Sequence, residues 1–456
     1  MCASTQRVVF IRILQFIMLF FFTFDTFSQG KESPLALFGD PLSVPKEESN
    51  SSVKVRIDLK KAEETFLRNN LSLLAKRLEV EASKAEIIQT RLWDNPVVSV
   101  DQNAYNQNTG QYLDTTKNGQ TQIQIEQLFV LAGKRDKRIR LAQWNANTGE
   151  QDFYDLLRTL KLELRVTFYK LFYLKKSLEF FDENIRSIRK TIQSSEAVYK
   201  NRDILLSEVL RLKSILFRLE TDRSEIVSGI IEKENILKLL LNEPEYADVV
   251  FEIETIEPEE KRNPILSKSG QELLSIAYDK RPDLKALEFG IKAEQTNLAL
   301  QRSLAIPDLK LGGSWDRAGN YINNYYGVTV SMAIPTFDRN QGNIRESELI
   351  LAAKKTKYEE KRIKIRAEVL SAVGKAKEKE RLLSEYKDSF TKDYQNLAGL
   401  MVENYRKKYL TILEFADFFE AYSDSFLKMI RLQSDRVETM ESVNYTLGST
   451  VLEIGK

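Results

Sequence analysis

The chain has 456 residues, 42% hydrophobic and 29% charged, with 68 Lys plus Arg against 66 Asp plus Glu, one cysteine and no histidine. That length allows two or three ordinary domains or one very elongated one, and a formal net charge of +2 offers no polycationic surface, so no nucleic-acid partner is expected. Without histidine, Ser/His/Asp and Cys/His couples, His-ligated zinc and an imidazole switch near neutral pH are excluded.

Carboxylate-only or lysine-based catalysis survives, but no paired carboxylate, phosphate loop or nucleophile motif stands out. No enzyme activity, cofactor or resident metal is therefore expected.

At the N-terminus, Arg7 and Arg12 flank the start of an apolar run from Ile13 to Phe22, followed by Thr26, Phe27 and Ser28 ahead of Gln29. This reads as a secretory signal peptide over residues 1–28, with a first membrane anchor as the alternative. Cys2 precedes the apolar run, where a lipoprotein cysteine cannot lie, so the mature chain would contain neither cysteine nor histidine. No later stretch approaches the roughly 18 consecutive apolar residues of a spanning helix. Residues 29–52 read as a linker.

Beyond it the sequence repeats itself. Asn69 to Val98 overlays Lys280 to Leu309 at an offset of 211; Ile123, Ile125, Lys134 and Arg140 meet Val328, Val330, Arg339 and Arg345 at 205; Tyr199, Glu208 and Leu241 meet Tyr405, Glu414 and Leu447 at 206. The repeats span 53–242 and 269–448, joined by a proline-bearing, acidic connection over 243–268 that must be mostly non-helical and followed by a tail over 449–456. Each copy reads helix, strand, loop, strand, long helix. Strands are predicted at about 97–105, 120–129, 308–316 and 326–334, and long helices over 133–200, 207–241, 342–405 and 412–447.

In the first long helix Leu157, Leu164, Leu171, Leu178, Ile185, Ile192 and Tyr199 recur every seven residues. Leu160, Thr167, Leu174, Phe181, Ile188 and Ser195 occupy the d positions. Only Thr167 and Ser195 break this coiled-coil seam, and a helix of that length reaches roughly 100 Å. The four strands alternate apolar with polar residues, which suits either a soluble sheet or a membrane barrel with a wet lumen. Because the long helices are committed to their own seams, the apolar face of the sheet is left for lipid. Four strands cannot close a barrel and open edges cannot sit in hydrocarbon. The chain must oligomerise, and three copies supply twelve strands.

The turn residues carry a resemblance. Asn95-Pro96, Glu126-Gln127 running on to Gly133-Lys134-Arg135, Ile306-Pro307-Asp308, and the string Ile334-Pro335-Thr336-Phe337-Asp338-Arg339-Asn340-Gln341-Gly342 resemble outer-membrane channel-tunnel proteins of the TolC-like efflux family. The match is closest to its heavy-metal-efflux, CzcC-like branch. The resemblance implies a mainly α fold with a small β part: a homotrimer with a twelve-stranded transmembrane barrel joined to a helical periplasmic tunnel. It further implies a passive exit duct in contact with outer-membrane lipid, partnered by a periplasmic adaptor (membrane fusion) protein and an inner-membrane pump of the resistance-nodulation-division type. Heavy-metal cations would be the cargo; drug or protein export is the broader alternative, and a structural coiled-coil spacer a remote one.

The resemblance also assigns residues. Gly133, Pro335 and Gly342 would shape the strand-to-helix turns, Gly342 by permitting the bend. Arg202, Leu206, Ser207, Lys408 and Thr411 lie in the hairpin tips where the adaptor would dock, with Arg202 and Lys408 replacing the family's tip glycines. Glu414 and Asp417 match the acids of the periplasmic constriction, where repetition in a trimer would favour cations and raise some of their pKa values; otherwise they are solvated surface acids. Tyr405 and Glu208 match a phenol-to-carboxylate gate link, the alternative being that Tyr405 only packs. Leu410 replaces the arginine of the second family link, which implies a more weakly latched closed state.

Overall fold

The computed structural model describes residues 54–201, 204–242, 250–253, 268–318 and 322–450, with backbone alone over 54–56, 250–253 and 387–398. The signal-peptide and linker assignments fall outside these residues. In chain order the elements are β1 (Lys54–Ile57), α1 (Leu59–Asn69), α2 (Leu71–Thr90), β2 (Val97–Gln102), β3 (Tyr105–Asn106), β4 (Gln111–Tyr112), β5 (Thr121–Phe129), α3 (Lys134–Lys200) and α4 (Leu206–Leu241). They continue with β6 (Val250–Ile253), α5 (Gly270–Lys280), α6 (Pro282–Leu304), β7 (Leu309–Ala318), β8 (Asn323–Met332), α7 (Gln341–Arg406) and α8 (Ile412–Leu447).

The short helix pairs begin where capping chemistry dictates. Asp58 accepts from Lys61 N at 2.6 Å and Asn70 from Leu73 N at 3.0 Å, while Ser269 and Glu272 form a reciprocal capping box. Asn70 separates α1 from α2, and 211 residues on Arg281 separates α5 from α6. Both reach the end of a long helix: Asn70 Nδ2 donates to Leu240 O at 2.9 Å and Arg281 Nη1 to Thr446 O at 3.3 Å. Gly448 ends α8 in the left-handed conformation (φ 72°), and a Cβ there would lie 2.9 Å from the Arg281 backbone. Only glycine fits that approach.

The seam of α3 is buried along most of its length. Leu164, Leu171, Phe181, Ile185, Ile188 and Ile192 are buried, and so are its two polar interruptions, Thr167 and Ser195. One apolar cluster gathers α1, the middle of α3, the C-terminal parts of α4 and α8, α5 and the Ile365–Ala376 stretch of α7. A second, nearer the tips, packs Phe181, Ile185 and Ile188 against Leu212, Ile215 and Leu219 of α4 and Phe415 and Phe419 of α8.

Charged groups inside the helical body are paired, as burial requires. Arg165 bridges Glu441 and Glu63, both at 2.8 Å. Arg281 binds Asp283 and Glu368, each at 2.6 Å, and Asp283 also binds Lys361 at 2.7 Å. A parallel pairing of β1 with β6 lies partly within the stretch read from sequence as a connection, and four-residue strands carry too short a period to announce themselves.

The principal sheet has the order β2-β5-β7-β8, antiparallel throughout. Its strands shift slightly from the expected bounds: the first stops at Gln102 before the short β3–β4 ribbon, the third begins at Leu309, and the last spans 323–332. Register places Val98, Val100, Ile123, Ile125, Phe129, Leu309, Leu311, Trp315, Tyr326, Val328, Val330 and Met332 on one face, interrupted by Gln102, Thr121 and Gln127. Asp101, Gln122, Gln124, Glu126, Lys310, Ser314, Thr329 and Ser331 occupy the other. The apolar face is bare; Val328, for example, is 88% exposed, and Val98, Val100, Val330 and Met332 are all exposed. Among the described residues the edges β2 and β8 have no further strand partner.

Candidate functional site

Two regions carry the residues singled out from sequence. At the base of the sheet, strands pass into long helices through left-handed turns. Ala132 and Gly133 have φ 57° and 65°, and Gly133 is the N-cap of α3. In the second copy the left-handed residue is Asn340 (φ 60°), the N-cap of α7. This corrects the role expected of Gly342, which lies in the first turn of α7 without positive φ and with nothing within 4 Å of a Cβ placed on it. Asparagine tolerates the left-handed region, and Asn340 is further held by Nδ2 donating to Gln301 O at 2.7 Å. Pro335 follows β8 by three residues, in irregular chain before the turn.

Lys134, only 2% exposed, pairs with Asp308 at 2.7 Å and donates to Ile306 O at 2.5 Å, while Leu131 N also donates to Asp308. Two motif fragments 174 residues apart thus form one knot around the buried Lys134 at the base of β5 and β7. Arg135 lies over the Trp93 ring, 4.7 Å from its centroid.

At the other end, α3 leads to α4 and α7 to α8 through the hairpin tips. A cleft of roughly 530 Å³ between them is lined by Ser195, Glu208, Tyr405, Lys408, Leu410 and Thr411 among others. Arg202 lies outside the described residues. Lys408 adopts φ 59°, the left-handed backbone a glycine would take most easily. Leu206 and Ser207 open α4 and are exposed, and its N-cap, Leu205, makes no side-chain hydrogen bond. Thr411 makes a full capping box instead: Thr411 N and Oγ1 donate to Glu414 at 2.9 Å each, and Glu414 N donates to Thr411 Oγ1 at 3.3 Å.

Those backbone and hydroxyl donors hold the Glu414 carboxyl below its ordinary value, opposite in direction to the repulsive rise expected in a ring. Tyr405 stacks on Phe415, centroids 4.9 Å apart. Its hydroxyl bonds Ser195, with the Glu208 charge nearby; burial raises the phenol above its ordinary pKa, Glu208 adds to the rise and the Ser195 bond opposes it. The phenol thus finds a hydroxyl on α3 as its hydrogen-bond partner, beside the carboxylate inferred for it.

Asp417 is 69% exposed and meets Arg211 of α4 at 3.4 Å; one turn along α8, Glu420 pairs with Arg218. Neither arginine was singled out from sequence. Arg211 and Asp417 stand 206 residues apart, the offset that relates the two repeats over this stretch, so one duplicated position bears opposite charges in the two copies. That opposition was the readable signal. Among the described residues no group of three or more acids is arranged to hold a metal ion, and no helix is long and apolar enough to cross a membrane.

Helical hairpins of 67 with 36 and 66 with 36 residues, mounted on a two-faced, edge-open sheet, define an architecture shared with solved outer-membrane channels. The OprN channel superposes with a TM-score of 0.70 at 16% identity, covering 86% of this chain and 90% of that one. CusC does so at 0.69 and 17%, covering 92% and 99%, and VceC of Vibrio cholerae at 0.69 and 15%, covering 86% and 97%. The sequence profile of the Outer membrane efflux protein family matches residues 64–201 and 273–415, and the chain belongs to that family. Among curated proteins it is similar to the cobalt-zinc-cadmium resistance protein CzcC of Cupriavidus metallidurans, 20% identical over 280 residues. The match takes in 60% of this chain and spans 62% of that relative's length.

Proposed function

We propose that the chain is the outer-membrane exit duct of a tripartite efflux system, passively conducting substrate delivered by a periplasmic adaptor and an inner-membrane pump. The observation that carries this reading is the four-stranded sheet with one predominantly apolar, uncovered face and two edges that have no strand partner among the described residues. β5, β7 and β8 have nine, ten and ten residues, the length of about 9–11 that a tilted strand needs to cross a bilayer. Edges of this kind are not tolerated in hydrocarbon, and a homotrimer would close twelve strands by pairing β2 of one copy with β8 of the next. The polar face, with Gln122, Gln124, Glu126 and Thr329, then lines a wet lumen.

Cargo is proposed as heavy-metal cations, supported by the likeness to a cobalt-zinc-cadmium resistance protein; drug or protein export by the same architecture is the second reading. Glu414 and Asp417 would line the periplasmic constriction and Tyr405 with Glu208 its gate, while Lys408, Thr411, Leu206 and Ser207 would meet the adaptor, together with Arg202. An N-terminal signal peptide would direct export. Without imidazole, and without thiolate once a signal peptide carrying Cys2 is removed, such a duct meets a passing metal ion mainly through weak oxygen ligands, as an exit path should.

Planar-bilayer recording tests the reading. The purified full chain is expected to form cation-preferring pores of low conductance, wider when Glu208→Ala is combined with Tyr405→Phe. A protein that stays monomeric and silent in the bilayer overturns it.

A further inference from the structure

The base of the sheet carries a surface that the duct itself does not require. The antiparallel register brings the start of β2, the end of β5, the start of β7 and the end of β8 to one level: Val97 pairs with Glu126, and Phe129, Leu309 and Met332 align across three strands. The segments leaving these ends therefore share one rim. That rim carries apolar and aromatic side chains, with Leu92, Trp93, Ile334 and Phe337 exposed, Phe337 at 93%. It is also cationic. Lys134 to Arg140 contains five Lys or Arg and one acid, Asp136, and Arg339 lies in the second turn.

The charges at this rim are not used equally. Lys134 is consumed by Asp308, and Arg135 is held against Trp93 with its Nη2 donating to Arg91 O. Its buried Nε has no partner. Arg138 and Arg339 are exposed. Two exposed acids, Asp94 and Asp338, share the rim; Asp338 accepts from Asn340 N at 2.8 Å and makes no ion pair with Arg339, so the cations remain in excess. The far end of the sheet has no comparable excess: there Asp101, Asp114 and Asp316 stand among Lys117 and Arg317.

We infer that this rim, Trp93 and Phe337 with Arg138 and Arg339, is a docking surface for anionic phospholipid of the leaflet facing the long helices. The inference rests on the reading that the sheet lies in the outer membrane. A tryptophan such as Trp93 settles at the level of lipid headgroups, the phenyl ring of Phe337 adds apolar contact to the acyl boundary, and cations beside them draw anionic headgroups within a Debye length. Arginine, a planar fork of donors, suits a phosphodiester. An apolar belt alone would accept any lipid. The cations make the surface selective, and they fix the height of the protein at the boundary where strand becomes helix.

The test is lipid preference of the full-length protein reconstituted in vesicles of phosphatidylethanolamine with or without phosphatidylglycerol. Native mass spectrometry of protein re-extracted from them would count retained lipid. Wild type is expected to retain phosphatidylglycerol selectively and to unfold at a higher temperature with it, an effect weakened by salt. Arg138→Gln with Arg339→Gln is expected to weaken phosphatidylglycerol retention by roughly tenfold, and Arg138→Lys with Arg339→Lys to keep most of it. Free inorganic phosphate should give no stabilisation.

Equal retention of phosphatidylethanolamine and phosphatidylglycerol by a protein that inserts normally overturns the inference and leaves the duct reading intact. Failure to insert into either vesicle overturns both. Trimers that fall apart on Phe337→Ala with lipid preference unchanged would make this rim a contact between copies instead of a lipid surface.

Discussion

Asp283 carries a distinct pH dependence at the scale of single residues. Burial alone would raise its carboxyl, but hydrogen bonds from Arg281 and Lys361 and the charge of Arg158 hold it well below the ordinary value of 3.8. A carboxyl depressed in the folded state stabilises above its unfolded pKa, and that stabilisation is lost as pH falls through 3.8 toward the folded value. The thermal midpoint is therefore expected to drop on acidification through this window, and Asp283→Asn to flatten that part of the curve while lowering stability near neutrality. Arg211 belongs to the same scale. An exposed pair at 3.4 Å adds little to stability, about 0–1 kcal/mol, but in a pore it would set net charge. If Asp417 lines the constriction, reversal potentials in a salt gradient should show stronger cation preference for Arg211→Gln and weaker preference for Asp417→Asn. Unchanged potentials in both would place the pair on an outer surface.

Among the elements, the turns into α3 and α7 show how a repeated structure can be built from unlike residues. Gly133 and Asn340 perform the same left-handed start of a helix, although the sequence offset of 205 does not bring them into register. Gly342, which looked like the hinge, occupies an ordinary helical position. Replacing it with alanine is expected to stabilise by up to about 1 kcal/mol through helix propensity, whereas Gly133→Ala, at φ 65°, should cost about 1 kcal/mol or more. Thermal unfolding of the two variants checks the assignment, and the opposite ranking would restore the hinge to Gly342. The long helices themselves were legible in advance: seven-residue spacing marks a buried stripe whatever its partner, and residues such as Leu164, Leu171 and Ile188 are buried accordingly. Their partners were not legible, because periodicity states that a face is covered without naming what covers it.

For the whole molecule, the sheet decides. A Val328→Arg substitution would set a charge on the uncovered apolar face, where a membrane barrel loses about 2–4 kcal/mol near the bilayer midplane. The neighbouring Thr329→Arg points the same charge to the polar face and should be tolerated. Trimer yield and channel insertion of the two variants are expected to differ accordingly; equal behaviour would mean that the two faces see the same solvent and would remove the barrel. The contrast is informative because the substitutions sit one residue apart on β8 and differ only in the face they occupy.

Local period and composition are readable along the chain: two copies of one pattern, amphipathic strands of period two, a seven-residue seam in what proves a helix of 67 residues, and no imidazole chemistry. Each is a property of neighbours along the chain, so it survives without knowledge of the fold. Contacts between the two repeats are set by the folded arrangement. Lys134 finds Asp308 across 174 residues, Arg211 finds Asp417 across 206, β1 finds β6 through backbone bonds that no side chain advertises, and the phenol of Tyr405 turns to Ser195. Burial and electrostatics select such partners by distance in space, and distance in space is set by how the two repeats pack.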